Sequence, residues 1–184
     1  MRCCLALLAL VGGLLAPARS EARPVSPRSG GFEIGGAGFV GVVGDDQGNV
    51  PDRLSGGPLL HLGLRGPVSE AVLLALVGRF GLGSGRGSSG AIGSLALEAR
   101  ALIGSEDLAP FGLIGLGVLF QQASSDDGLR LVSRPSPVLP VGLGIESRLS
   151  DVLMLGFTLR YSLVLSHLAS TIGPVDLGLT IVFL

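Results

Sequence analysis

The chain has 184 residues, of which 47% are hydrophobic, only 15% charged, and 31 are glycine. A soluble domain carries about 25% charged residues, so a surface of this composition would be poorly solvated in water. Thirteen basic residues, all arginine, stand against fourteen acidic ones, which removes the positive field that a nucleic-acid-binding domain needs.

Taken from the start, residues 1–22 read as a secretory signal peptide. Arg2 supplies the positive end, 5–16 the apolar core, and Ser20 or Ala22 the small residue before cleavage. Cys3 and Cys4 precede the apolar core, where a lipoprotein cysteine would follow it, so the mature chain has no cysteine and no disulfide or thiolate chemistry. Residues 23–30 (RPVSPRSG) form a flexible Pro/Ser linker, and 31–184 form one domain.

That domain is a succession of period-two runs, the mark of β-strands with unlike faces. The first, 31–43, places Phe32, Ile34, Val40 and Val42 opposite Glu33, Gly35, Ala37 and Gly41. After the polar loop 44–57, a second run sets Leu60, Leu62 and Leu64 against His61, Gly63 and Arg65. A tight link at 66–70 leads to the third, 71–83, with Leu74, Leu76, Phe80 and Leu82 against Ala75, Val77, Arg79 and Gly81. The glycine-serine run 84–90 connects to the fourth, where Leu95, Leu97, Ala99, Ala101 and Ile103 oppose Ser94, Ala96, Glu98 and Arg100.

A short acidic link precedes the fifth run, 110–121. Its outer face reads as Ile114, Leu116, Val118 and Phe120, although Phe111 and Leu113 take the other parity and leave the register open. A polar loop at 122–136 follows, and then the clearest hairpin of the chain. Leu139, Val141, Leu143, Ile145 and Leu149 oppose Gly142, Gly144, Glu146 and Arg148, and after the Ser150-Asp151 turn Leu153, Leu155, Phe157, Leu159 and Tyr161 oppose Met154, Gly156, Thr158 and Arg160. The last run carries Val175, Leu177, Leu179, Ile181 and Phe183 on one face.

Eight such strands, with links one, three, five and seven longer and more polar than links two, four and six, predict an all-β fold. The expected architecture is an eight-stranded antiparallel up-and-down transmembrane β-barrel, since 10–13 residues suit a tilted span needing roughly 9–11. The in-strand charges share one face: Glu33, Arg65, Arg79, Glu98, Arg100, Glu146, Arg148, Arg160 and Asp176. Pointing inward, five positive and four negative groups can largely neutralise one another in a narrow interior, while the leucine face meets lipid. A soluble barrel of the lipocalin type would reverse these faces, and the leucines at outer positions argue against it.

The hairpin pattern G-x-G-x-E-x-R-L-S-x-x-L-x-L-G-x-x-x-R-Y, at 142–161, resembles small bacterial outer-membrane β-barrels of the OmpA/OmpX-like type. Asp176, Gly178, Ile181 and Phe183 are similar to the terminal assembly signal of such barrels, with Leu184 displacing the aromatic from the last position. The resemblance implies export to the outer membrane of a Gram-negative cell envelope and contact with its lipid and barrel-assembly machinery, as a monomer. It also frames the function: a structural or interaction barrel with a charge-plugged lumen and short surface loops. The alternative is a narrow, porin-like channel for small or apolar solutes, and the third reading is a lipid-modifying enzyme.

No catalytic residue, cofactor or metal site is expected. His61 falls on the inner face, and His167 lacks the H-x-S-N setting of lipid A deacylases because Leu168 and Ala169 follow it. Two histidines without a mature cysteine do not make a zinc site. Asp45, Asp46, Asn49, Asp52, Asp126 and Asp127 fit no calcium-loop spacing, and no lysine follows the glycine runs to make a phosphate loop.

Overall fold

Alternation of leucine with small or charged residues gives each strand two faces of different chemistry, and a closed sheet uses both. The structure is a computed structural model and describes residues 30–43, 53–85, 88–103, 108–125, 130–132, 135–150, 152–165 and 174–184. The expected signal peptide, residues 23–29 of the linker, the aspartates of the first and fifth links, and His167 lie outside the described residues.

The strands are β1 (Gly31–Val43), β2 (Arg53–Ser69), β3 (Val72–Gly85), β4 (Ser88–Leu102), β5 (Leu108–Ser125), β6 (Arg130–Val132), β7 (Ser136–Ser150), β8 (Leu153–Val164) and β9 (Val175–Phe183). Each barrel strand pairs antiparallel with its neighbours, β4 with β5 and β5 with β7, and β1 closes the cylinder against β9. The short β6 pairs only with Gln122–Ser124 of β5, so the cylinder itself has eight strands. Closure leaves no sheet edge within it, which is how a backbone in lipid satisfies its N–H and C=O groups.

The register climbs as it goes round. Gly66 pairs with Leu74, and the path continues through Ala99, Ile114, Val141, Tyr161 and Val175 to Val40. Gly31 pairs with Arg65, so the residue facing Gly66 is Gly30, and the circuit returns ten residues further along β1. That stagger tilts the strands by roughly 35–45° and fixes which inner residues share a level.

The parity expected from sequence holds throughout. Leu64, Leu74, Leu97, Leu116, Leu143 and Leu159 are exposed on the outer face, whereas Glu33 and Glu98 are 0% exposed. Strand β5 resolves the open register: Phe111 and Leu113 point inward and Leu116, Val118 and Phe120 outward, so this strand is apolar on both faces. Exposed phenylalanines fall toward both ends of the belt, with Phe32, Phe157 and Phe183 near the turn side and Phe80 and Phe120 near the loop side.

Four links are shorter than expected. β2 runs from Arg53 to Ser69, which leaves 44–52 for the first link and 70–71 for the second. β3 and β4 stay paired up to Gly85 and Ser88, reducing the third link to 86–87, and β5 runs on to Ser125 opposite Ser88. Serine, glycine and glutamine end the hydrophobic alternation there, but ladder hydrogen bonds need no apolar side chain once the sheet has left the belt. The third link is therefore as tight as those at 70–71 and 151–152.

Gly144 is required by packing. A Cβ there would lie 2.2 Å from Cζ of the inward Phe111 and 2.7 Å from the Phe157 carbonyl oxygen, whereas a Cβ on Gly36 meets nothing within 4 Å. Gly144→Ala is expected to cost about 1–3 kcal/mol through overpacking, and Gly36→Ala no more than a few tenths. Urea unfolding of the refolded barrel in detergent micelles measures both.

Candidate functional site: a buried charge network in the lumen

The inward face brings together residues far apart in sequence. Arg65 of β2 reaches Glu146 of β7, 81 positions away, with Nη1 donating to both carboxylate oxygens at 2.8 and 2.7 Å, while Nη2 contacts the Met154 sulfur at 3.1 Å. Arg100 forms a two-pronged pair with Glu33 at 2.7 and 2.9 Å and stands 5.6 Å over the ring of Phe111. Bidentate pairs of this kind hold both orientation and charge.

Glu98 is the hub. One oxygen accepts from Arg79, and the other from Arg160 at 3.0 Å and Arg100 at 3.3 Å. Arg160 and Arg79 also reach Asp176, at 3.2 and 3.5 Å. Longer contacts of Glu33 with Arg65 (3.8 Å) and of Glu146 with Arg100 (3.7 Å) tie the two ends together. Nε2 of His61 sits 3.1 Å from Glu33, so a neutral imidazole with its proton on Nε2 donates to that carboxylate.

Eight of the nine predicted charges thus converge, every one of them buried. The ninth, Arg148, is placed elsewhere: it is half-exposed, and its Nε donates to the Ser150 carbonyl at 3.2 Å, beside the bulge that ends β7. Among the described residues the buried network holds four guanidiniums and four carboxylates, which balance with His61 uncharged. The charges form one connected network, because Glu98 links Arg100 to Arg79 and Arg160.

Sequence reasoning missed a second inward feature. Phe39, Leu59, Ile92, Leu119, Val138 and Val164 form a buried apolar cluster. Each lies toward the loop end of its strand, so the cluster caps the charged zone on that side. Their inner parity was the available signal, although within mostly glycine and alanine positions it carried little weight. Of the assembly-signal residues, Asp176 belongs to the network, Gly178 faces inward, and Ile181 and Phe183 are exposed on the outer face.

No known protein family and no curated protein matches the chain. Its fold is shared with small outer-membrane barrels of known structure. Neisserial surface protein A superposes with a TM-score of 0.58 at 13% identity, covering 83% of this chain and 96% of the other. The N-terminal β-barrel domain of Pseudomonas aeruginosa OprF gives 0.58 at 17%, covering 83% and 96%. Ail, the attachment invasion locus protein of Yersinia pestis, gives 0.53 at 17%, covering 84% and 97%. The likeness is one of fold: an eight-stranded transmembrane β-barrel.

Removing one member of a buried ion network strands its partners. Glu98→Gln, which deprives three guanidiniums, is expected to destabilise the barrel by about 3–5 kcal/mol. The joint change Arg65→Met with Glu146→Leu removes a whole pair and is expected to cost far less than either single change. Equilibrium unfolding in micelles distinguishes these, and equal losses for the single and paired changes would show that charge balance is not what holds the network.

Proposed function

We propose that the chain is an outer-membrane barrel with a closed lumen, acting as a structural or interaction anchor that carries short loops at the cell surface. The observation that carries this reading is the division of faces. Leucine, isoleucine, valine and phenylalanine are exposed around the cylinder, and such a surface is stable only against lipid. On β3 the outward apolar run from Leu74 to Leu82 covers nine residues, matching a tilted span of roughly 9–11.

The contents of the lumen support its closure. Side chains can fill an eight-stranded interior, and here neutralised arginines and carboxylates are capped by the apolar cluster around Phe39 and Ile92. A narrow channel, the second reading, requires a water path past both. The enzyme reading draws no support from His61, whose ring is engaged by Glu33 between strands rather than by a serine. Outer-membrane lipid is the expected surroundings, the barrel-assembly machinery the expected route in, and the monomer the expected state.

Expressed in a Gram-negative host with its leader, the protein should partition with the outer membrane and migrate faster on unboiled than on boiled gels. Recovery as a detergent-free soluble protein would refute the lipid-facing assignment. Leu159→Arg, at an outward position 48% exposed, should weaken folding into bilayers by about 2–4 kcal/mol if it lies at mid-depth, while Leu159→Val should not.

Conductance tests closure. In planar bilayers the purified protein should show no steady single-channel steps, and Glu98→Gln should introduce transient ones. Regular openings in the unaltered protein would establish the channel reading instead.

A further inference from the structure

The charge network satisfies the ends of its arginines but not their stems. Nε of Arg65, Arg79, Arg100 and Arg160 is buried and has no acceptor among the described residues. A buried donor left unpaired is costly enough that native structures almost always supply a partner. Arg79 also lines a small cavity. It has about 10 Å³ of water-sized space and lies between the charge network and the apolar cluster. Arg79, Asp176, Ser94 and Ser162 line it on the polar side, and Leu59 and Ile92 are among its apolar walls.

We infer that this cavity is a binding site for one ordered water molecule, which completes the network at its loop end. The volume is that of about one water, and a buried water needs two to four polar partners. The lining provides them. Water can accept from the Arg79 Nε–H and donate to the Asp176 carboxylate and a serine hydroxyl, leaving a lone pair for the second serine.

Charge decides against an ion. The network already balances four guanidiniums with four carboxylates, so a halide would meet Asp176 as an uncompensated negative charge, and a cation would meet Arg79. Only a neutral ligand able both to donate and to accept fits both walls. Arg79 and Asp176 are 7% and 3% exposed and Ser162 4%, so the charged wall of the cavity is itself buried.

The test uses the whole folded barrel in detergent. In crystals grown with bromide and diffracting well enough to show waters, a density peak within hydrogen-bond distance of Arg79 Nε and Asp176, without anomalous signal, is expected. An empty cavity, or an anomalous peak marking bromide, overturns the inference. In nitrogen-15 spectra the Arg79 Nε–H should show a direct cross-peak to long-lived water. Ser162→Val, which fills the space and removes one partner, should reduce that cross-peak severalfold. Ser94→Ala serves as the second variant should Ser162→Val fail to refold, and it should shorten the water's residence. A wild-type protein lacking the cross-peak, or a folded Ser162→Val retaining it in full, refutes the site.

Discussion

A charge moved from water into the interior of a narrow barrel must find an opposite charge, and the buried charges of this protein answer that demand. The desolvation penalty for each ion is several kcal/mol even after relaxation. Four arginines therefore require four carboxylates, and the structure supplies that number with little redundancy. Glu98 is fully buried between three guanidiniums, and Glu33 joins Arg100 to His61. Such a network contributes less to net stability than to uniqueness. One strand register alone brings all eight groups within reach, and a slip of one residue would turn them toward lipid.

The ten-residue stagger is what converts sequence into this geometry. Cross-strand neighbours alone would not unite Arg65 with Glu146, which lie on strands separated by several others. Tilt brings their side chains to one level across the lumen, and the length of arginine spans the remaining distance. Leucine on the outside is subject to no such pairing. It needs only to be apolar, so the outer face is chemically uniform while the inner face is specific residue by residue.

This difference explains what could be read from the chain. Alternation exposed the barrel strands, their number and the face of the eight buried charges, because a period of two is a local property. Pairing is not local. The nine charges fall on one wall in the alternation but are not matched by it, and nothing in a period of two separates Arg148, which donates to the Ser150 carbonyl at the turn end of β7, from the rest. The apolar cap was hidden for the opposite reason: Phe39 and Ile92 look like lipid-facing residues of the wrong parity. Phe111 and Leu113 blurred the register of β5 in the same way. The extra length of β3, β4 and β5 beyond the belt was invisible to hydrophobic pattern, since serine and glycine pair through backbone alone.

The apolar cap and the charge network depend on each other. An apolar layer at the loop end lowers the local dielectric beneath it, which strengthens each ion pair and raises the cost of leaving one incomplete. The network in turn fixes the side chains on which the cap rests, with Arg79 and Asp176 lining the same small cavity as Leu59 and Ile92. A barrel with charges but no cap would admit water along the arginine stems and weaken the pairs. With a cap but fewer carboxylates, it would hold buried positive charge without relief. The two features support each other, and their mutual dependence is the physical ground on which the proposed closure of the lumen rests.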